Sequence, residues 1–464
     1  MECDVLVLGG GPAGYTAAIR AAQLGGKVVC VEREPALGGT CLRVGCIPTK
    51  AWVQSAHALH DARERFASLG VRVGEAELDF GAVSAWKDGV VKQMTGGIAS
   101  LFKANGVEWV QGEGRFTSPH TLQVAGGEEI RFGSAIVATG SAPVRPPIPG
   151  LDSGRCVDST GLLAIAEVPR RLAILGGGII GCEFASIFGR FGSEVTIIEL
   201  LPTLIPAEDA DAAKELEKAF RKRGIVAHLG KQCTAVEESP DGLVVHFGEG
   251  ESIEVDLMLV AVGRAAVVDG LGLEAAGVMV EAKRIPTDAH RRTNVPHIYA
   301  AGDVAGFWQL AHTGFREGEV AAENALGHDA TIDSPAVPRP IYTDPEIAGV
   351  GLTEAQARER YGDERIAVGR CPWAAVARAV MAGDTTGWVK TIHETTYGEL
   401  LGVVIVGPHA TDLIGEAVVA IDTESTVETI ANGIAPHPTF AEALKEAGLV
   451  ALDRAIHLPP RRKR

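Results

Sequence analysis

No stretch of this chain approaches the ~18 uninterrupted apolar residues that a bilayer-spanning helix takes, which excludes a helical membrane protein. Net positive charge is missing too. With 59 acidic against 43 basic side chains the formal charge is −16 at pH 7, which argues against a nucleic-acid phosphate backbone as partner and is compatible with a cationic protein partner or with solubility alone. Met1 runs directly into Cys3-Asp4-Val5-Leu6-Val7-Leu8-Gly9, with no basic n-region and no Arg/Ser-rich presequence. That start predicts a cytoplasmic protein, neither exported nor sent to an organelle. Cysteine is sparse, eight residues in 464, too thin a supply for a disulfide-stapled fold. Cys3, Cys30, Cys156, Cys182, Cys233 and Cys371 stand in apolar or isolated contexts and read as small buried hydrophobes in a reducing compartment.

What is present points elsewhere. The chain is 46% hydrophobic, with 57 glycines, enough to bury several cores, and its length suggests about three domains. Cys41 and Cys46 lie five positions apart in Gly39-Thr40-Cys41-Leu42-Arg43-Val44-Gly45-Cys46-Ile47-Pro48-Thr49-Lys50. Two thiols at that spacing can face each other from neighbouring turns of a helix, close enough for a strained, reducible S–S bond. A zinc site would require a second Cys/His pair at usable spacing. None follows, so no metal site is predicted.

Just upstream, Gly9-Gly10-Gly11-Pro12-Ala13-Gly14 follows the apolar run Val5–Leu8 and precedes helix-forming residues. This strand, glycine turn and helix have the dinucleotide-binding spacing: the first glycine for the tight turn, the second for backbone approach to a pyrophosphate, the third for helix–strand packing. Glu32 closes a second strand eighteen residues past Gly14, where a carboxylate can accept from a ribose. The arrangement recurs in Arg171–Leu175, Gly176-Gly177-Gly178-Ile179-Ile180-Gly181 and a strand ending at Glu199. A carboxylate there suits a ribose 2′-hydroxyl, whereas a 2′-phosphate would want arginine, so NAD is expected over NADP. Glu183 sits one turn into an apolar helix, and an acid there calls for a cation. The strand from Ser134 to Val137 runs into Ala138-Thr139-Gly140, and Ile298–Ala300 leads to Gly302-Asp303, whose carboxylate could bind a polyol hydroxyl.

In this order the pieces resemble the class I pyridine nucleotide-disulfide oxidoreductases from Asp4 to about Leu458, and above all those members that oxidise protein-bound dihydrolipoamide. Further markers are Leu310-Ala311-His312, Tyr342-Thr343-Asp344-Pro345-Glu346, and His437-Pro438-Thr439 followed by Glu442. The resemblance implies an α/β fold: two Rossmann-like dinucleotide-binding domains, for FAD and NAD, plus an α+β C-terminal dimerisation domain. The corresponding division is an FAD-binding domain over 1–145, an NAD-binding domain over 146–268, a central segment over 269–338 that completes the FAD domain, and an interface domain over 339–464, with Pro-rich linkers near 142–147 and 333–340.

The resemblance also assigns residues. FAD, non-covalent and one per subunit, would take Gly9, Gly11, Pro12, Ala13, Gly14, Glu32 and Arg33; then Gly39, Thr40, Cys41, Cys46 and Lys50; then Gly114, Ala138, Thr139 and Gly140; and finally Gly302, Asp303, Gln309, Leu310, Ala311 and His312. NAD would take Gly176, Gly178, Ile179, Ile180, Gly181, Glu183, Glu199, Val262, Gly263 and Arg264. Cys41 would exchange with the substrate dithiol and Cys46 would lie against the flavin as its thiolate. His437 would be the base, oriented by Glu442, reaching the disulfide across a homodimer interface, and Lys50 with Glu183 would form an ion pair near the flavin. The implied reaction is oxidation of dihydrolipoamide to lipoamide with reduction of NAD+ to NADH. The lipoyl group would arrive on the acyltransferase of a 2-oxo acid dehydrogenase complex or on the lipoyl protein of glycine cleavage.

Glu199 weighs against the NADPH-dependent glutathione and trypanothione reductases, and the absence of any cysteine beyond Cys371 weighs against a mercuric reductase. A scaffold or redox-sensing protein with a vestigial flavin is disfavoured by the intact Cys41, Cys46, His437 and Glu442. The chain departs from the family pattern at Ala435, where a histidine is common, at Arg43, at Thr313 and in the bulky segment 306–309. The basic tail Arg461–Arg464 reads as solvated and disordered.

Overall fold

The computed structural model describes residues 1–306, 308–332 and 334–459; Phe307 of the bulky segment, Asp333 of the second linker and the tail Arg461–Arg464 lie outside the described residues. β1 (Glu2–Leu8) enters the first glycine turn, α1 (Pro12–Gln23) leaves it, and β2 (Val28–Glu32) returns parallel to β1 with Val5 opposite Val28 and Leu8 opposite Val31. Then come α2 (Gly39–Val44) and α3 (Cys46–His60), a long helix over Phe80–Asn105, and the strands β3 (Glu108–Gln111), β4 (Gly114–Ser118), β5 (Thr121–Val124) and β6 (Glu129–Val137). The first sheet runs β3-β2-β1-β6. The first half of β6 pairs antiparallel with β5, and its second half pairs in parallel with Ile298–Ala300, a strand supplied from far along the chain. Covered on both faces, its central strands are continuous apolar runs; Val5, Leu6 and Val7 are wholly buried.

A second parallel sheet repeats the plan with Val226–Leu229, Glu194–Glu199, Arg171–Leu175, Leu257–Val260 and Cys156–Val157 in spatial order. A three-stranded antiparallel sheet from Cys233 to Val255 covers one side of it. The two nucleotide units are joined where Ser141–Pro143 pairs with Arg264–Ala266. The last unit is a five-stranded antiparallel sheet, Arg339–Ile341, Ile347–Gly351, Leu400–Val406, Trp388–Glu394 and Ile366–Pro372 in order. Helix Glu442–Ala451 lies so close over strand Ile366–Pro372 that a Cβ at Gly369 would come within 1.8 Å of the Ala447 carbonyl oxygen. That contact fixes the helix that begins with Glu442.

Buried ion pairs tie this last unit to the second sheet. Arg339 Nε donates to Glu208 Oε1 at 2.9 Å, and the wholly buried Lys390 reaches Asp209 at 2.6 Å, Asp211 at 3.1 Å and Glu354 at 3.1 Å. Asp344 is shared by Arg190 and Arg223. Burial alone would raise the Asp344 carboxyl, but the two guanidinium groups win and hold it at about 2.

Candidate active site

The two fingerprints adopt one geometry. Gly9 and Gly176 take left-handed φ values of +106° and +109°, and a Cβ on either would come within 2.3 and 2.4 Å of the carbonyl oxygens of Ala138 and Ala261. Gly14 and Gly181 bring their helices against the turns, where a Cβ would approach the Gly9 and Gly176 oxygens to 1.8 and 2.0 Å. The middle glycines differ. A side chain at Gly178 would meet nothing within 4 Å, and one at Gly11 only the Gly39 Cα at 3.7 Å. The fold itself does not demand their bareness, which instead leaves the N-termini of α1 and helix Ile179–Phe191 open to a pyrophosphate.

Glu32 and Glu199 repeat as well. Glu32 accepts from Gly10 N at 2.6 Å and from Glu34 N at 2.9 Å; Glu199 accepts from Gly177 N and from Leu201 N at 2.6 Å. Each carboxylate is pinned across its own glycine turn with lone pairs to spare for ribose hydroxyls. Arg33 is exposed and pairs loosely with Glu34. Gly114 starts β4 where a Cβ would strike Leu8 and Leu122, so its smallness serves packing.

The cysteine segment docks onto the first turn, since a Cβ at Gly39 would lie 2.5 Å from the Gly11 Cα. One continuous helix was expected for Cys41 and Cys46. The chain instead breaks at Gly45 (φ −142°, ψ −111°), placing Cys41 within the short α2 and Cys46 at the start of α3. The reason is local: a Cβ at position 45 would press to 2.8 Å from the Thr40 carbonyl oxygen, and only glycine permits so tight a reversal. The break still brings the sulfurs within hydrogen-bonding reach, as free thiols. The pair titrates asymmetrically: Cys41 is pushed up by its interaction with Cys46 and by burial, whereas Cys46 is lowered to about 7 by the same interaction and by Lys50, against the opposing effect of burial. Cys46 also opens to the surface.

Lys50, one turn beyond Cys46, meets the buried Glu183 with Nζ 2.9 and 2.7 Å from its two oxygens. Glu183 also accepts from Tyr342 N at 2.9 Å, and the Lys50 ammonium lies 4.6 Å from the Tyr342 ring centroid. The acid in the second unit's apolar helix thus has its cation on α3 of the first. In the fully reduced protein, alkylation of Cys46 by iodoacetamide should accelerate as pH rises through about 7. In Lys50→Gln that midpoint should move upward, because the thiolate loses its nearest cation; an unchanged midpoint would remove Lys50 from this role.

Asp303 follows Gly302 in a 3₁₀ turn, accepts from Ser141 Oγ, and through Ser141 meets Arg264, whose Nε is 2.8 Å from the same hydroxyl. Arg264 Nη2 also lies 3.5 Å from Thr40 Oγ1, and Gln309 Nε2 donates to its carbonyl at 3.3 Å. Expected among the NAD residues, the Arg264 side chain faces the first unit, while its neighbours Val262 and Gly263 stay exposed at the second. Thr139 Oγ1 donates to the Val267 carbonyl at 2.7 Å. Leu310 and Ala311 open helix Ala311–Ala325, and His312 Nε2 meets the Pro338 carbonyl at 2.8 Å, its imidazole pushed towards the neutral form by burial. Ser141 was expected only as a small residue where the backbone closes over a cofactor, and Glu317, which accepts from Gly302 N at 2.6 Å, went unnoticed in the sequence.

His437 Nδ1 lies 2.8 Å from Glu442 Oε1, and Glu442 Oε2 accepts from Thr439 N at 3.0 Å. Burial works to raise the Glu442 carboxyl, but the bonds from His437 and Thr439 pull it below its ordinary range. The imidazole is 71% exposed, and among the described residues no hydrogen bond or ion pair joins it to Cys41 or Cys46. Within one chain, therefore, the structure makes the His–Glu pair and the dithiol but does not bring them together.

A sequence model described as pyridine nucleotide-disulphide oxidoreductase matches residues 3–318, and that family's dimerisation domain matches residues 337–448. The chain belongs to this oxidoreductase family. Among curated relatives, dihydrolipoyl dehydrogenase of Thermus scotoductus is 44% identical over 98% of each chain, and that of Bacillus subtilis 41% identical over 97% of this chain and 99% of its own. Among solved structures, the HOCl-induced flavoprotein disulfide reductase RclA of Escherichia coli superposes with a TM-score of 0.87 at 30% identity, covering 96% and 99% of the two chains. LpdA of Mycobacterium tuberculosis gives 0.89 at 28% identity with the same coverage. As a pyridine nucleotide-disulphide oxidoreductase the protein is an enzyme that uses FAD and a nicotinamide dinucleotide, and its C-terminal part is that family's dimerisation domain, which supports a homodimer. The site fits those groups: the two turns are bare at Gly11 and Gly178 alone for no internal reason, and each carries a pinned ribose-side carboxylate. No described helix is long and apolar enough to cross a membrane.

Proposed function

We propose that this protein is a dihydrolipoyl dehydrogenase, oxidising protein-bound dihydrolipoamide to lipoamide and reducing NAD+ to NADH. The observation that carries the reading is the asymmetric dithiol, Cys46 with its pKa lowered to about 7 and Cys41 with its pKa raised, beside the Lys50–Glu183 pair. When bound, FAD would supply a two-electron acceptor for the cysteine pair and NAD+ the final hydride acceptor. In the oxidised pair a substrate thiolate attacks Cys41, the Cys41–Cys46 bond breaks, and Cys46 leaves as the better thiolate because its pKa is the lower. The second substrate thiol then closes on the mixed disulfide, releasing cyclic lipoamide and a Cys41 thiolate. Two electrons now rest on the cysteine pair. His437 of the partner subunit takes a substrate proton, with Glu442 holding the imidazole, so each site needs both chains. Lys50 keeps the Cys46 thiolate charged, and Glu183 holds Lys50 in place.

The lipoyl group arrives on a partner, the acyltransferase of a 2-oxo acid dehydrogenase complex or its glycine-cleavage counterpart. The cytoplasm suits six further cysteines that are all buried free thiols. Assays with lipoamide, glutathione disulfide and Hg(II), each with NADH and NADPH, test the reading: lipoamide with NADH should dominate, and preference for another acceptor would overturn it. In Glu199→Ala the preference for NADH over NADPH should shrink by roughly 10- to 100-fold, the worth of a hydrogen bond to a charged group.

A further inference from the structure

Glu317 lies on helix Ala311–Ala325 with its side chain only 7% exposed. One carboxylate oxygen accepts from Gly302 N at 2.6 Å, and the other accepts from Arg291 Nη1 at 3.1 Å. Gly302 is the left-handed residue (φ +77°) whose turn aims Asp303. Its helix has little freedom to move, because Gly318 packs so tightly on α1 that a Cβ would sit 2.3 Å from the Ala13 oxygen. Arg291 is held in the left-handed region at φ +63°, unusual for arginine, and its carbonyl accepts from Ala300 N at 3.1 Å in the strand that leads to Gly302. Burial works against ionisation of Glu317, with Arg291 and the Gly302 amide opposing it.

A buried anion close to Asp303 and to the glycine turn destined for a pyrophosphate is unfavourable unless it does something there. We propose that Glu317 is a positioning residue for FAD: it fixes the Gly302 amide so that the Asp303 carboxylate is preset for a ribityl hydroxyl, while Arg291 balances its charge. The fixed turn removes an ordering cost from cofactor binding. This inference rests on FAD as the cofactor and is independent of which disulfide the enzyme reduces.

The test uses apoprotein titrated with FAD, read by flavin fluorescence, alongside the thermal midpoint of the apoprotein. Glu317→Gln, near-isosteric but uncharged, should weaken FAD binding at least tenfold. Arg291→Gly keeps the left-handed backbone without strain, removes the cation, and should weaken it similarly. Glu208→Gln disrupts the comparably buried Glu208–Arg339 pair, whose side chains make no hydrogen bond to a residue assigned to FAD among the described residues, and separates loss of fold stability from loss of positioning. It should change FAD affinity less than twofold. If Glu317→Gln binds FAD within twofold of wild type, or if Glu208→Gln weakens FAD as much as Glu317→Gln does, Glu317 is an ordinary structural acid and the proposal fails.

Discussion

Cys46→Ser will retain FAD and its fold but lose lipoamide turnover by at least about 10⁴-fold, as when the central nucleophile of another enzyme is removed. A serine at position 46 cannot form a disulfide with Cys41, so the substrate thiolate has no S–S bond to attack and its electrons no route inward. The fold should tolerate the change, because residue 46 starts α3, opens to the surface and fills no core. Cys41→Ser should be equally inactive for the same reason, yet different in kind, since it keeps the Cys46 thiol and the Lys50 ammonium that favours its thiolate, with the serine hydroxyl in place of the Cys41 thiol. Appreciable turnover by Cys46→Ser, measured with purified holoenzyme, would remove the dithiol from the mechanism.

His437→Gln is expected to slow the thiol half-reaction by roughly 10²- to 10⁴-fold, the usual worth of a placed general base. The sign of the pH dependence follows. In wild type, His437 accepts the substrate proton, so attack does not wait on prior ionisation of the thiol. In the variant the rate should instead climb steadily with pH, because only substrate that has already ionised can attack, and the gap between the two enzymes should narrow at high pH. Glu442 is held ionised by His437 and Thr439, its carboxyl lying below the ordinary carboxylate range, so it remains a fixed acceptor for the imidazole. Stopped-flow reduction across pH 5.5 to 9 measures this. A parallel loss at every pH would mean that His437 acts by holding structure, not by accepting a proton.

Much of the site was legible because it is written locally. Gly9 to Gly14 and Gly176 to Gly181 each sit inside one strand–turn–helix, and Glu32 and Glu199 close the same unit. Glu183 announced a partner by standing in an apolar helix, and Lys50 proved to be that partner. The Gly45 break was missed because the segment reads as a single helix, and only the crowding at the Thr40 carbonyl shows the reversal that Gly45 makes. Arg264 follows the second unit's strand in sequence, but the short ladder between Ser141–Pro143 and Arg264–Ala266 turns its side chain to the first unit. Glu317 could have been found by the logic that worked for Glu183, but Arg316 and Glu319 beside it make that stretch look like a solvated face. The clusters around Lys390 and Asp344 join residues more than a hundred positions apart, and no local pattern encodes them.

The proposed mechanism needs one contact, a Cys46 thiolate against the isoalloxazine of FAD, and an anaerobic absorption spectrum of protein reduced by a single equivalent of dihydrolipoamide reads it directly. Wild type should develop a long-wavelength band beyond that of the oxidised flavin, from the thiolate donating into the ring. As purified, Cys41→Ser should show the same band and Cys46→Ser should not. A band that survives in Cys46→Ser, or never forms in wild type, would contradict the assignment of Cys46 as the thiol that meets the flavin.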